Sequence, residues 1–406
     1  MELVKPFRAL RPYPAYAALV AAPPYDVLTE EEARAYARGN PLCFLRVEKS
    51  EIDFPPEECP DEKAIFARAR ENLLYLRDEK IFFQDSTPLY YLYGQQLGEH
   101  KQYGIMALAN TQAYEAGIIK RHELTRTDKE EERTKHVEEV GAHTGPVFLI
   151  YKNTGALDHL LARIIASSPE YLFTSPDRVI HRVWKIWERH DIEEINNFFS
   201  SLDALYIADG HHRAAAAAAV ARKRPGDKEA AYFLAALFPH NQLNIMAYNR
   251  LVRDLNGLTE EEFLSSLRPF FQIDRDYNAR IPRRLHEFGL YLSGRWFRLT
   301  ATSEIIDQTD PILSLDVSIL QERILGPLLG IINPRTDERI EFVGGIRGPE
   351  VLEKSVDSGE FKAAFSLYPV SITDLMTIAD QGKIMPPKST WFEPKLLSGL
   401  FVHLLG

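Results

Sequence analysis

The residues with the clearest chemistry stand between an apolar run and a row of alanines. Leu205 to Ala208 predicts a short buried strand, and the six alanines Ala214 to Ala219 predict a closely packed helix. Between the two lie an acid, a glycine, two histidines and an arginine, namely Asp209, Gly210, His211, His212 and Arg213. A strand, a tight turn and a helix start in this order direct free backbone N–H groups beyond the strand, and such groups favour an anion.

Each residue of this motif suggests a role at such a site. Gly210 lets the backbone turn and lets a ligand approach closely. The two histidines add hydrogen-bond donors, and Arg213 can donate two parallel bonds to phosphate oxygens. Asp209 could hold Mg²⁺ against phosphates or orient a hydroxyl group. The plain alternative is that Asp209 only caps the helix and the histidines form its polar start.

A shared zinc ion is not favoured by the histidine pair. Adjacent side chains on a helix point about 100° apart, whereas ligands four residues apart share one face. The motif therefore indicates an anion site in preference to a structural metal centre.

Two further clusters carry polar groups that could act on a small substrate. Glu123 follows His122 ahead of a charged segment and could serve as a general base, although it could equally be a solvated helix start. Near the C-terminus, a cation and two hydroxyls that suit a carboxylate or phosphate follow two prolines: Lys388, Ser389 and Thr390. A rigid surface loop is the alternative there.

Other conspicuous residues support weaker expectations. Pro23 to Val27 forms a stiff turn with one acid, which we interpret as structural. Arg121, His136 and His143 are candidates to line a cleft, but their spacing does not distinguish them from ordinary surface residues.

The elements around these clusters alternate between strands and helices, which predicts a mixed α/β fold. Thr29, with Glu32 three residues later, predicts a capped helix start. Leu42 to Val47 predicts a buried strand, and residues 121–139 predict a helix that ends at Gly141.

Composition limits the classes of function. The formal net charge of −10 argues against a nucleic-acid-binding surface. The two cysteines, Cys43 and Cys59, have no metal-binding spacing and fit a reducing cytosol. We find no signal sequence and no run near the roughly 20 apolar residues that span a bilayer, so a soluble cytoplasmic protein without a membrane partner is expected.

Taken together, these motifs resemble a SerK-like domain-of-unknown-function family, DUF1015, over nearly the whole chain. Three of them are also similar in order to motifs of the free serine kinases of the ParB/sulfiredoxin superfamily. The resemblance implies a ParB/sulfiredoxin-like catalytic core at 119–250, an additional N-terminal α+β region at 1–118 and a C-terminal α/β substrate-binding region at 251–406.

The resemblance also implies roles for individual residues. Glu123 matches the kinases' catalytic base, Asp209 their catalytic aspartate, and Gly210 to Arg213 their phosphate-binding residues. Lys388 to Thr390 matches the stretch that holds the carboxylate of the substrate serine. Where those kinases read Arg-His, this chain has Trp391 and Phe392, so one cationic contact is missing, and the candidates to replace it are Lys388, Arg121 and Lys395.

The function implied is phosphoryl transfer from ATP or ADP, with Mg²⁺, to free L-serine. A nucleotide-binding or nucleotide-hydrolysing regulator related to ParB is the main alternative. A sulfiredoxin-like repair enzyme would need a cysteine at the phosphate motif, and both cysteines lie far from it in sequence. A scaffold without catalysis is the remaining option. The sequence leaves open the choice between ATP and ADP, the exact acceptor and the oligomeric state.

Overall fold

A computed structural model of the protein describes residues 2–275 and 277–406. These residues form two compact units. Unit 1 contains the chain up to Arg121, Thr125–Leu243 and Pro394–Gly406. Unit 2 contains His122–Leu124 and Asn244–Glu393.

The strands, in chain order, are β1 Val4–Lys5, β2 Leu10–Pro12, β3 Phe82–Gln84, β4 Tyr90–Leu97, β5 His100–Asn110, β6 Ile119–Lys120, β7 Ala142–His143, β8 Val147–Tyr151, β9 Tyr171–Thr174, β10 Ile180–Ile186, β11 Leu205–Asp209, β12 Tyr232–Pro239, β13 Asn244–Met246, β14 Tyr248–Val252, β15 Phe271–Asp274, β16 Glu287–Leu292, β17 Arg295–Ala301, β18 Ile340–Gly344, β19 Ala363–Leu367, β20 Trp391–Glu393 and β21 His403–Leu404.

The α-helices are α1 Ala17–Val20, α2 Glu30–Tyr36, α3 Leu45–Glu48, α4 Glu62–Asp78, α5 Thr111–Glu115, α6 Thr127–Val140, α7 Asp158–Ile165, α8 Arg189–Ser200, α9 His211–Lys223, α10 Glu260–Leu267, α11 Asp316–Leu320, α12 Pro349–Asp357 and α13 Ile372–Asp380. No helix in the described residues is long and apolar enough to cross a membrane.

The main sheet of unit 1 is mixed and has the strand order β6-β11-β8-β12-β5-β4-β10-β9, with β1 added beside β5. Strand β8 runs parallel to β12 and antiparallel to β11. Strand β5 pairs with both β4 and β12. The hairpin β4–β5, from the predicted N-terminal region, therefore lies in the same sheet as β11, which ends at the acid of the central motif. Whether 1–118, 119–250 and 251–406 are functional divisions stays a prediction.

The sheet of unit 2 is antiparallel throughout its described strands, in the order β15-β17-β16-β19-β14-β18. Helix α12 covers one part of it, with Leu352 and Val356 buried in a cluster that includes Leu251 and Val343. Together, the two sheets and their helices confirm the predicted mixed α/β class.

Several local predictions are confirmed, and one is wrong. Thr29 and Glu32 form the complete capping box at the start of α2, and α6 ends at Gly141, whose φ of +70° is left-handed. Residues 42–47 are not a strand, because their last part belongs to the short helix α3. The run is buried on nearly every side, and such a run has no periodicity that separates a strand from a helix.

Three histidines of unit 1 are buried. His136, His143 and His181 are all at most 5 % exposed. His181 contacts the hydroxyls of Tyr93 and Ser175 at 2.8 and 2.9 Å. Burial lowers the pKa of His136 and of His181 to about 4, and that of His143 to about 3.

These lowered pKa values predict a loss of stability in mild acid. The folded state favours neutral histidine, so its stabilisation is complete above the unfolded pKa of 6.5 and declines as the pH falls towards about 4. Each histidine then lowers the free energy of unfolding by at most about 1.4 kcal/mol per pH unit. Urea titrations between pH 7 and 4 measure this slope. His181→Gln should flatten it, whereas the exposed His159→Gln should not, and equal slopes for all three proteins would contradict the assignment.

Candidate active site

The central motif lies at the junction between β11 and α9, as the sequence predicts. Strand β11 is buried up to Ala208, and Gly210 then turns the backbone with a φ of +88°. A Cβ at Gly210 would lie 3.3 Å from the Arg213 guanidinium and 3.4 Å from the Val147 backbone. Because the turn is both left-handed and crowded, it requires glycine. The alanines that follow are nearly all buried, so small side chains let α9 pack closely.

Asp209 carries an ionised carboxylate held by a lysine and by the backbone. Its Oδ2 accepts a hydrogen bond from Lys395 Nζ at 3.1 Å, and its Oδ1 accepts one from the Gly210 N–H at 2.8 Å. Burial alone would raise the pKa of the Asp209 carboxyl, but Lys395 and Arg213 outweigh burial and hold that pKa well below its usual range. The side chain remains 30 % exposed. A ligand from solvent can therefore reach it.

Arg213 is the cation that the motif places behind Asp209. Its Nη1 donates to the Pro146 carbonyl, and its Nη2 lies 3.7 Å from Asp26 Oδ2. The Arg213 side chain is only 9 % exposed, whereas that of Asp26 is 36 % exposed. The turn at Pro23–Val27, interpreted from sequence as structural, therefore brings an acid to the central motif.

A second arginine lies in the buried layer beside Arg213. Arg133 of α6 donates to Glu48 at 2.8 Å, and both side chains are at most 5 % exposed. The Arg133 guanidinium also lies over the Tyr25 ring, 4.0 Å from its centroid. Burial tends to raise the pKa of the Glu48 carboxyl, yet Arg133 and other nearby cationic groups lower it, so Glu48 is ionised. Neither residue belongs to a recognisable motif, so the sequence gives no sign of this pair.

The two histidines of the motif differ in exposure. His211 is 6 % exposed, so its ring is largely enclosed. His212 is partly exposed, and its Nε2 accepts the backbone N–H of Arg126 at 3.0 Å. Arg126 immediately precedes α6, so His212 satisfies one of the free N–H groups at the start of that helix. Its Nε2 is an acceptor in this arrangement, which leaves Nδ1 as the nitrogen that can donate.

In unit 2, two of the sequence clusters meet. The His122 carbonyl accepts the Met385 N–H at 2.8 Å, and His122 Nε2 lies 3.4 Å from Thr390 Oγ1. His122 is 2 % exposed, whereas Glu123 keeps part of its surface. The folded chain therefore holds His122, and with it the neighbouring Glu123, against the turn that contains Thr390.

That turn is fixed by its own hydrogen bonds. Ser389 is buried and donates its hydroxyl proton to the Pro386 carbonyl at 2.6 Å. Lys388 is exposed and has a φ of +57°, which is rare for a lysine. Arg250, a buried residue of β14, donates from Nη2 to the Lys388 carbonyl at 3.0 Å. Of the three residues predicted to bind a substrate carboxylate, Lys388 and Thr390 keep exposed surface, and Ser389 stabilises the turn.

The aromatic pair Trp391 and Phe392 is part of the fold of unit 2. Strand β20, which contains Trp391 and Phe392, pairs with β13. The Trp391 ring lies edge-on to Tyr248 at 5.0 Å and fills the space where Gly344 lacks a side chain. Of the candidate replacement cations, Lys395 pairs with Asp209 and Arg121 lies 5.4 Å from the Tyr114 ring centroid, which leaves Lys388 beside this strand.

A family model described as a protein of unknown function (DUF1015) matches residues 4–318. The chain belongs to the DUF1015 family. No curated protein matches this DUF1015 chain.

Solved structures show only a distant likeness to this DUF1015 protein. A free serine kinase in complex with AMP is 14 % identical, with a TM-score of 0.35 over 71 % of this chain and 86 % of that one. A conserved hypothetical protein from Pyrococcus furiosus is also 14 % identical, with a TM-score of 0.36 over 73 % of this chain and 94 % of that one. C-terminally truncated SbnI from Staphylococcus aureus is 12 % identical, with a TM-score of 0.40 over 74 % of this chain and 87 % of that one.

The Glu48–Arg133 pair predicts a large effect of a small substitution. Glu48→Gln keeps the shape of the side chain but leaves the Arg133 charge buried without its carboxylate, which should lower the free energy of unfolding by about 3–5 kcal/mol. Urea denaturation measures this loss. The matched control is Glu62→Gln, which removes an exposed pair with Lys135 on the same helix α6 and should cost less than about 1 kcal/mol. Similar losses in both variants would contradict the buried role of Glu48.

Proposed function

We propose that this protein is a small-molecule kinase that transfers a phosphoryl group from ATP or ADP to the hydroxyl of free L-serine. The product is O-phosphoserine. The serine oxygen forms a bond to the terminal phosphorus of the nucleotide, the bridging P–O bond breaks, and the serine proton passes to a general base.

The observation that carries the proposal is the arrangement around Asp209. One partly exposed carboxylate pairs with Lys395 and is influenced electrostatically by Arg213, at the start of helix α9, where backbone N–H groups and the helix dipole favour an anion. Fixed cations and N–H groups of this kind stabilise the charge of a phosphoryl group during transfer, because they need no rearrangement.

Mg²⁺ is the metal that such a transfer would use, and Asp209 is the residue that would hold it. A carboxylate offers about four lone-pair sites, and the described hydrogen bonds of Asp209 use two of them. Mg²⁺ is commonly bound by one or two carboxylates together with substrate phosphates and waters. When bound, the ion would neutralise phosphate charge, and the donor set fits that task.

The roles of the remaining residues are proposed from the sequence resemblance. Glu123 takes the serine proton, and its backbone is steadied by the bonds of His122 to Met385 and Thr390. Gly210, His211, His212 and Arg213 bind phosphate. Lys388 and Thr390 bind the acceptor carboxylate, and Ser389 holds their turn.

The direct experiment is an incubation with ATP or ADP, Mg²⁺ and L-serine, followed by detection of O-phosphoserine by mass spectrometry. Phosphoserine formation supports the proposal and identifies the donor. Nucleotide loss without phosphoserine would favour the ParB-like regulator, and neither binding nor turnover of nucleotide would favour a scaffold.

Asp209→Asn should abolish phosphoserine formation while changing serine affinity little. The variant removes the negative charge that faces Lys395 and the proposed metal, but it keeps the shape of the side chain. Phosphoserine production and serine binding by calorimetry separate the two effects. Asp203→Asn, an exposed acid that precedes the same strand, is the matched control and should keep full activity. An unchanged rate of phosphoserine formation by Asp209→Asn would contradict the proposed role of Asp209 as the metal-binding acid.

Glu123→Gln should lower kcat by roughly 10²–10⁴-fold, because the amide cannot accept the serine proton. Steady-state kinetics at saturating nucleotide and serine measure the change. Glu131→Gln, an exposed glutamate on α6, provides the comparison and should leave kcat unaltered. Near-full activity of Glu123→Gln would remove it from the role of base.

A further inference from the structure

Unit 2 contains a cavity that none of the predicted site residues lines. It lies between the start of α12, the ends of β13 and β18, and strands β14 and β19. Its volume is about 230 Å³. Cavities that hold drug-sized ligands typically measure roughly 300–1,000 Å³, so this one suits a smaller molecule.

The lining of this cavity is uncharged and mostly apolar. Its described wall consists of Asn244, Ile245, Met246, Ala247, Asn249, Ile281, Gly345, Gly348, Pro349, Leu352, Ser366, Leu367 and Pro369. No titratable side chain is among them. A charged ligand would lose its hydration here without gaining a counter-charge, which is strongly unfavourable. The wall therefore selects an uncharged ligand with a largely apolar body.

One side chain supplies an oriented hydrogen-bond donor to this wall. Asn249 is only 6 % exposed, and its Oδ1 accepts the Leu367 N–H at 3.1 Å. Because a backbone N–H can only donate, this bond fixes the amide so that the other terminal atom is the NH₂ group. That Nδ2 makes no hydrogen bond to any residue in the described part of the chain. Because Asn249 lines the cavity, this amide donor is available to an acceptor on a bound ligand.

The Ser366 hydroxyl and the start of α12 are not the acceptor and do not favour an anionic ligand. The Ser366 hydroxyl donates its proton to the Arg280 carbonyl at 2.7 Å. Helix α12 begins at the cavity, with Gly348 as its N-cap residue and Pro349 as its first residue. Glu350 in its first turn pairs with Arg280 at 3.1 Å, and this carboxylate disfavours an anion at the helix start. A neutral acceptor oxygen fits better than a carboxylate.

We infer that the Asn249 cavity, defined by the lining residues above, binds a small uncharged carbonyl compound whose oxygen accepts the Asn249 Nδ2 proton and whose hydrocarbon part packs on Ile245, Met246 and Leu352. This site is separate from the proposed phosphoryl transfer and does not depend on it.

The test uses the ε-methyl signals of the full-length protein labelled at methionine. The chain has five methionines, and Met246 is the one that lines the cavity. The probes are cyclohexanone and methylenecyclohexane, which share size and shape but differ in the acceptor oxygen. Cyclohexanone should shift the Met246 signal saturably, and its affinity should exceed that of methylenecyclohexane by about tenfold, the effect of one hydrogen bond.

Two variants distinguish the contribution of the Asn249 hydrogen-bond donor from that of the cavity volume. Asn249→Asp keeps the acceptor for the Leu367 N–H and, at pH 8, should weaken cyclohexanone binding at least tenfold. Ala247→Leu fills the cavity and should abolish binding of both probes. Asn333→Asp is the matched control, since its Oδ1 accepts the Arg335 N–H at the same 3.1 Å outside the cavity. Unchanged Met106 and Met376 signals verify that each variant is folded.

The outcomes are distinct. Saturable binding that depends on the oxygen and on Asn249 supports the inference. A Met246 signal that responds to neither probe in the unmodified protein would overturn it, whatever the variants do. Equal affinities for the two probes, or full cyclohexanone binding by Asn249→Asp, would overturn the role of Asn249. The kinase assay is independent of every one of these results.

Discussion

Buried and partly buried cations, each close to a carboxylate, organise unit 1. Arg133, Arg213 and Lys395 lie near the end of β11, and each has an acid close by: Glu48, Asp26 and Asp209. In the Glu48–Arg133 pair, which is buried on both sides, removing one partner leaves a charge that neither water nor protein compensates. The segments that supply these acids and cations, from both ends of the chain, must therefore fold onto the β11–α9 junction together.

The backbone at this junction has little freedom. Gly210 occupies a left-handed turn against the Val147 backbone, and the buried alanines after Arg213 fix the helix axis. The backbone N–H groups at the start of α9 and the Asp209 carboxylate consequently have set directions. Groups with set directions need little reorganisation when a charged ligand binds, and the proposed phosphoryl transfer relies on this property.

In unit 2, the buried cation Arg250 is stabilised by backbone carbonyls instead of a carboxylate. Arg250 has no carboxylate partner among the described residues, and burial lowers its pKa to about 9. Carbonyl oxygens of Tyr248 and Lys388 and the face of Phe342 surround its guanidinium. Its hydrogen bonds therefore go to the backbone, where they hold the unusual left-handed conformation of Lys388. Arg250 therefore contributes to unit 2 by stabilising the turn that contains Lys388.

The sequence by itself determined the motifs and the local elements that carry them. Short-range signals sufficed for the strand, glycine turn and alanine helix around Asp209, for the capping box at Thr29 and for the end of α6 at Gly141. Only the tertiary structure decided that Asp26 and Glu48 belong beside Arg213 and Arg133, that Lys395 pairs with Asp209, and that 42–47 is not a strand. The physical reason is that charge pairing and all-round burial depend on residues distant in the chain, and no local period or motif records them.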